Sequence, residues 1–543
     1  MKRPVISATI LIALTALFIT LVLNQPFWHA LAQRLDLATV EGFSFALTFA
    51  SLMTGLLMLL FLLLGQRLLL KPLLVVTLFV SALISYFNGI GVVIDDEMLR
   101  NVLETARDHN SNEAAELASA SMIRFLLLYA VLPSAAILFL RVRHAPTLLR
   151  GVGLRLLWAG GVIVVVAALV MLNFKYVTYF SRENRDLRLT LNPFFPLTSA
   201  VKLYKREHAA SDRQFTVLGR DARQRPHGKK RVGIMVVGET ARADRFSLDG
   251  YRRKTNPLLE RESVASFTNA WSCGTSTAYS VPCMFSFLDR RHYSPARASR
   301  QSNVLDVLRG AGVNVIWRDN NSSCKGVCER VASENFHHDF DPASPYYHKG
   351  EYTDEILLEN LEALIEKTPD DALIVLHTMG SHGPAYYKRY PEAFERFTPA
   401  CRSNSPHECP DDEVDNAYSN TIVYTDYVLD RIIRFLREHE DRYDSFMLYA
   451  SDHGESLGEN GVYLHGLPYL IAPEAQKHIP LIAWLSPELE RKIRLSPKTL
   501  ADCTDEPVSH DNLAHTLLGL FDVSTRLYRP ELDLFTGVCR QHG

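Results

Sequence analysis

Five stretches of this chain, at roughly 5–24, 43–64, 72–94, 122–140 and 156–174, are apolar and long enough to cross a bilayer, and all five fall in the first third. Each comes close to the ~20 residues a helix needs to span the hydrocarbon core. Residues 1–174 are therefore expected to form an all-α polytopic membrane domain of five helices. Met1-Lys-Arg before the first run resembles the start of a signal peptide, but no small-x-small cleavage site precedes Gln25-Pro, so that run is read as a span. The basic residues Lys2 and Arg3, Arg67 and Lys71, and Arg141, Arg143, Arg150 and Arg155 fall on alternate sides of the spans, which marks those sides as cytoplasmic. An odd number of spans then delivers everything after about residue 175 to the opposite side. In a bacterium that is the periplasm, and the localisation expected is the inner membrane.

All eight cysteines lie beyond the last span, none within the first 272 residues, which suits an oxidising compartment. Proximity suggests the pairs Cys273 with Cys283, Cys324 with Cys328 and Cys401 with Cys409, leaving Cys503 and Cys539 as a long-range fourth. A net charge of −2, with no long basic run, gives no footing for a nucleic-acid partner. Residues 175–205 mix Tyr176, Tyr179, Phe180, Phe194, Phe195 and Tyr204 with Arg182, Arg185, Arg188, Lys202 and Lys205. That composition suits the headgroup layer, so the segment is expected on the membrane surface, with a solvated linker as the plainer alternative. Residues 207–230 are polar and basic and read as the linker proper, so the expected domains are 1–174, 175–230 and 231–543.

From Arg231 the pattern changes to short β-branched runs alternating with amphipathic segments. Val232–Val237, Val313–Trp317, Ala372–Leu376 and Phe446–Ala450 read as strands, and 353–367 and 412–438 as helices. This alternation implies an α/β domain with a largely parallel sheet, whose ligands collect beyond the carboxyl ends of the strands. Glu239 follows the first strand, His377 and His382 another, and Asp452 with His453 a third. Carboxylate and imidazole together suit a catalytic zinc site, although manganese fits the same ligand types. A turn rich in hydroxyls, Cys273-Gly-Thr-Ser-Thr277-Ala-Tyr-Ser-Val-Pro-Cys283, offers Thr277 at the entry to a helix. A metal would supply the acidity its hydroxyl lacks. Spacing alone leaves Thr275, Ser276 and Ser280 as rivals, and an ordinary hydroxyl-rich helix cap as the plainest alternative.

Six segments carry a resemblance: Val-Gly-Glu239-Thr-Ala-Arg, the turn containing Thr277, Trp-Arg-Asp-Asn-Asn-Ser322, His-Thr-Met-Gly-Ser-His382-Gly-Pro, Ser-Asp452-His453-Gly-Glu-Ser and Tyr-Leu-His465-Gly. In these the chain resembles the lipid A phosphoethanolamine transferases, including the mobile colistin-resistance enzymes, over essentially its whole length. The resemblance implies an alkaline-phosphatase/sulfatase-like α/β periplasmic domain after the five membrane helices. It implies zinc held by Glu239, Thr277, Asp452 and His453, with Thr277 as nucleophile. It further implies that His382 and His465 contact the transferring phosphate or a second zinc, and that Ser322 and Lys325 bind phosphoethanolamine. Asn101, Thr105 and Glu113 match the loop that meets the donor's ethanolamine end, Glu113 about one helical turn from the family's acidic position. The implied partners are phosphatidylethanolamine as donor and lipid A as acceptor, with inner-core sugars or periplasmic glucans as other acceptors of the wider family. Polymyxin resistance is the expected phenotype and a monomer the expected state. Sulfatases share the broad fold, but Cys273 lacks the Cys-x-Pro-Ser-Arg context that formylglycine formation requires. Polyglycerol-phosphate synthases use a similar threonine and zinc arrangement, but the cysteine-rich sequence and the Cys-Gly-Thr-Ser-Thr-Ala motif favour the ethanolamine branch. A reading from a different class is a non-catalytic lipid-headgroup receptor.

Overall fold

The structure, a computed structural model, describes residues 3–95, 98–100, 102, 119–173, 185–210, 215–337, 340–496, 499–500 and 502–542. Asn101, Thr105 and Glu113 lie outside the described residues, as does the stretch 174–184 of the expected membrane-surface segment. The chain divides into two compact units, residues 1–96 with 118–202, and residues 97–117 with 203–543.

In the first unit, among the described residues, four helices are long and apolar enough to cross a membrane: Val40–Leu64, Leu70–Gly89, Ala120–Phe139 and Leu149–Leu172. The first expected span is instead a bent pair, Ala8–Leu21 and Gln25–Ala32, which meet at 51° and make a fifth if counted as one. The break falls at Asn24, with Pro26 opening the second helix. Asn24 is buried and donates from its amide to the Ile19 and Asn192 carbonyls, each at 2.8 Å. Asn192 in turn donates to the carbonyls of Leu23 and Ser81. Residues around 192, expected at the membrane surface or in solvent, are thus packed into this unit by amide bonds that an apolar surrounding makes costly to leave unmade.

The second unit is built on a seven-stranded sheet. Its strands are β1 (Arg231–Gly238), β2 (Ala265–Phe267), β3 (Asn314–Asp319), β4 (Ala332–Asn335), β5 (Ala372–His377), β6 (Asp444–Ser451) and β7 (Leu481–Leu485). Their spatial order is β2-β7-β6-β1-β5-β3-β4. The five strands from β6 to β4 run parallel, while β7 and β2 add antiparallel pairs at one edge. Successive side chains of a strand face opposite ways. Accordingly Met235, Val237, Leu373, Val375, Phe446, Leu448 and Ala450 enter one apolar layer. Val232, Ile234, Val236, Ile374, Leu376, Met447 and Tyr449 enter the other. This is why the central strands read as continuous apolar runs.

The long helix Asp411–Glu438 covers the second layer with Val414, Tyr418, Ile422, Leu429, Ile432 and Ile433. Three acidic residues in its first turn complement the helix dipole. The other expected helix, 353–367, is broken into a 3-10 turn, Asp354–Leu358, and a short helix, Leu361–Glu366. Asn360 between them adopts a left-handed conformation, and the Asp354 carboxylate accepts the N–H groups of Met379 and Gly380. The folded unit also begins before the expected boundary at 231. Arg223–Gln224 pairs with Val523–Ser524, and Ala222 is buried in the first layer.

All eight cysteines are bridged: Cys273–Cys283, Cys324–Cys328, Cys401–Cys409 and Cys503–Cys539.

Candidate metal centre and nucleophile turn

Strand register decides what meets at the sheet edge. Ser451 of β6 lies opposite Gly238 of β1, and His377 of β5 lies opposite both Val237 of β1 and Asp319 of β3. The residues that follow, Glu239, Asp452, His453 and Asn320–Ser322, therefore leave the sheet at one level. Glu239 is turned inward by Thr240, a β-branched residue held at φ 53°. That conformation is pinned at both peptide groups: Thr240 N–H donates to Asp452 Oδ1 at 3.2 Å, and Tyr418 donates its hydroxyl to the Thr240 carbonyl at 2.6 Å. The loop after β5 closes over the same residue. Ser381 N–H donates to the Glu239 carbonyl, and a Cβ at Gly380 would stand 2.8 Å from that oxygen.

Thr277 opens the helix Thr277–Met284, and the Cys273–Cys283 bridge ties the preceding turn to that helix. Its Oγ1 lies 3.1 and 3.3 Å from the two Glu239 oxygens and 3.3 Å from His453 Nε2. Of the rival hydroxyls, Thr275 is committed to the Leu467 carbonyl at 2.6 Å. His453 Nε2 is also 3.3 Å from Asp452 Oδ2 and 3.6 Å from Glu239 Oε1. Glu239, Asp452 and His453 are fully buried, and together they form a group able to hold a metal ion.

The electrostatics of this group fit a cation. Burial, then the neighbouring Asp452, pushes the Glu239 carboxyl well above its usual range. Burial likewise pushes Asp452 up to about 7, against the N–H bond from Thr240. Burial, then His465, holds the His453 imidazole well below its ordinary value, so it is neutral. With Nδ1–H donating to the Gly454 carbonyl at 2.9 Å, its Nε2 lone pair faces two carboxylates. Acceptors facing acceptors repel, and among the described residues neither carboxylate has a lysine or arginine ion pair. A divalent cation resolves that repulsion, and carboxylate, carboxylate, imidazole and hydroxyl are a donor set that zinc accepts.

Glu239, His382 and His465 form a second group of potential ligands. The rings of His382 and His465 are 5.7 Å apart, and His465 is 4.3 Å from the His453 ring. Burial opposes a charge on His465, but Glu455, whose Oε2 is 2.9 Å from Nδ1, and the nearby Glu239 and Asp452 raise it to about 9. His377, grouped with the ligands by sequence, stands apart from both groups and faces Asp319 at 3.2 Å. Its place on the strand itself, one residue short of the loop, explains the difference.

Lys325 and Ser322 are brought together, Nζ donating to Oγ at 2.7 Å, and both are buried. The link from this pair to the Glu239–Asp452–His453 group is Asn321, which sequence reasoning did not single out. Its amide donates to Glu239 Oε2 at 2.9 Å and to the Thr378 carbonyl at 3.0 Å. His510 was missed as well. It accepts Cys273 N–H at Nδ1 (3.0 Å) and donates from Nε2 to the Ser451 carbonyl (2.9 Å), joining the turn that leads into Thr277 to the Asp452–His453 loop. Asn321 falls inside the Trp317–Ser322 segment, which is a usable signal; His510 carries none.

The family model for sulfatases matches residues 231–523, and that for phosphoethanolamine transferase EptA/EptB matches 53–208. Phosphoethanolamine transferase EptA of Escherichia coli K12 is 37% identical, covering 100% of this chain and 98% of its own. Phosphatidylethanolamine transferase Mcr-1 of Escherichia coli is 39% identical, with 96% of each chain covered. The structure of the integral membrane lipooligosaccharide phosphoethanolamine transferase A of Neisseria meningitidis superimposes with a TM-score of 0.92 at 35% identity, over 98% of this chain and 99% of that one. An apolar helical unit joined to a sulfatase-type α/β unit, matched across the full length, makes this chain a member of the phosphoethanolamine transferase family.

Proposed function

We propose that the protein transfers phosphoethanolamine from phosphatidylethanolamine to a phosphate of lipid A, through a covalent intermediate on Thr277. The observation that carries this reading is the placement of Thr277 Oγ1 within 3.3 Å of both Glu239 and His453 at the start of a helix. Glu239, Asp452, His453 and Thr277 would hold zinc, which when bound lowers the hydroxyl's acidity barrier and polarises the phosphoryl group.

In the first half-reaction the bond from Thr277 Oγ1 to phosphorus forms and the bond from phosphorus to the diacylglycerol oxygen breaks. The hydroxyl proton leaves along the contact to Glu239. The departing alkoxide needs a proton, and His465, charged and backed by Glu455, is the group placed to supply one, with His382 beside it. Ser322 and Lys325 bind the phosphoethanolamine group. In the second half-reaction a lipid A phosphate oxygen attacks phosphorus, the proton of that phosphate returns His465 to its charged form, and Thr277 Oγ1 leaves and regains its proton from Glu239. Both substrates are lipids, so a membrane-tethered catalytic unit on the periplasmic side shortens the search for each.

The test is labelling of the full chain with phosphatidylethanolamine carrying a radioactive headgroup. Wild type is expected to retain label on Thr277 and Thr277→Ala to retain none. Label on Thr277→Ala, or on another residue of the wild type, would overturn the assignment.

A further inference from the structure

The turn Pro468–Ile471, three residues past His465, carries an apolar apex that nothing in the fold requires. Among the described residues from 218 onward, Leu470 at 94% and Ile471 at 40% are the exposed large apolar side chains, and no others reach that class. Leu470 is more exposed than any large apolar residue of the membrane-length helices. Turn apices ordinarily carry Gly, Asn, Asp or Ser, so leucine here has no conformational reason.

The apex is also rigidly presented. Ile471 and Ala472 both donate their N–H groups to the Pro468 carbonyl, at 2.9 and 3.0 Å. At the base, buried Gln476 accepts Leu467 N–H and donates to Ser456 Oγ and the Leu464 carbonyl. Leu467 also takes the Thr275 hydroxyl, two residues from Thr277. Three residues reach about 10 Å at most, which ties the apex to the nucleophile turn. Cations flank it: the Arg290 guanidinium lies 3.4 Å from the Tyr469 ring centroid and the Lys477 ammonium 5.3 Å. Arg290 also donates to the Cys273 carbonyl, so the limb leading into Thr277 is joined to this tip at two points, Cys273 and Thr275.

We propose that Tyr469–Ile471 is a membrane-contact tip whose aliphatic apex enters the surface of the phospholipid bilayer, with Arg290 and Lys477 meeting anionic headgroups. An aliphatic apex, an aromatic shoulder and flanking cations are the chemistry of the layer between headgroups and acyl chains. The chain's own membrane-length helices keep a bilayer within reach. The tip sets the height of the nucleophile turn at that surface.

All eight native cysteines are paired, so Leu470→Cys adds a single thiol to the full chain for an environment-sensitive fluorophore. In phosphatidylethanolamine and phosphatidylglycerol vesicles, brominated acyl chains are expected to quench the label by half or more, and aqueous iodide to reach it several-fold less than in detergent-free denaturant. Strong iodide quenching without bromolipid quenching would overturn the proposal. So would protection from both quenchers, which would mean that protein covers the tip. In a second arm, Leu470→Asp with Ile471→Asp is expected to lower turnover of vesicle phosphatidylethanolamine about tenfold while leaving turnover of a water-soluble short-chain analogue unchanged. Equal loss on both donors would overturn it. Wild type inactive on both donors would sink the donor assignment and leave the quenching result standing.

Discussion

Replacing His510 by glutamine should remove a defined part of the protein's acid sensitivity. His510 is buried, and its two ring nitrogens already have opposite duties, Nδ1 accepting Cys273 N–H and Nε2 donating to the Ser451 carbonyl. A second ring proton would confront the Cys273 N–H, and burial lowers the imidazole to about 4 from 6.5. The unfolded chain takes up this proton first, so native stability falls as the pH drops from about 6.5 to about 4. At pH 5 this one residue costs about 2 kcal/mol relative to pH 8. Glutamine reproduces the donor to Ser451, does not titrate, and leaves Cys273 N–H unpaired at about 1–3 kcal/mol. His510→Gln should therefore be less stable than wild type at pH 8 but nearly level with it at pH 5. Thermal unfolding of the detergent-solubilised full chain, followed by intrinsic fluorescence at both values, measures the difference as a few °C. An equal gap between the two proteins at both pH values would refute the reasoning. His510→Asn, which keeps the Cys273 contact and gives up the Ser451 one, should show the same flattening.

Asn321→Ala should lower metal affinity or turnover about 10–100-fold, because it frees Glu239 Oε2 to rotate away from the other ligands; metal titration by mass spectrometry reads it, and unchanged affinity would show that Glu239 is held without Asn321. Asp249 is pushed up to about 7 by burial, against a bond from Ser266, and its buried Oδ2 has no hydrogen bond among the described residues. The native state keeps that proton between about 3.8 and 7, so this residue loses stability as the pH rises through that window. Asp249→Asn should stabilise the fold by about 2–4 kcal/mol at pH 8 and by little at pH 4, checked by denaturant unfolding at both values.

The parallel strands β1, β3, β5 and β6 were legible because each is buried on both faces and so reads as a largely apolar run; candidate metal ligands follow three of them, Glu239 after β1, His382 after β5, and Asp452 with His453 after β6. β4, Ala332–Asn335, was not: it is an exposed edge strand with no apolar pattern to mark it. β2 is three residues long, and β7 completes its antiparallel pairing, so local sequence says little about either. Glu239, Thr277, Asp452 and His453 were found through motifs, and the structure brings them together with His465. Asn321 lay within a segment the sequence did mark, but its partner Glu239 is 82 residues away, and His510 meets Cys273 over 237 residues with no motif around it, so spacing shows neither contact. The split of 353–367 at Asn360 reflects the pull of Asp354 toward the loop after β5, a tertiary demand that helical periodicity cannot register.

The central claim is that Thr277 carries phosphoethanolamine to lipid A. Mass spectrometry of lipid A from cells expressing the wild-type chain or Thr277→Ala tests it most directly. The account predicts a phosphoethanolamine mass increment with wild type alone, accompanied by reduced polymyxin susceptibility. An increment that persists in Thr277→Ala, or unmodified lipid A alongside phosphoethanolamine on core sugars or glucans, would contradict it.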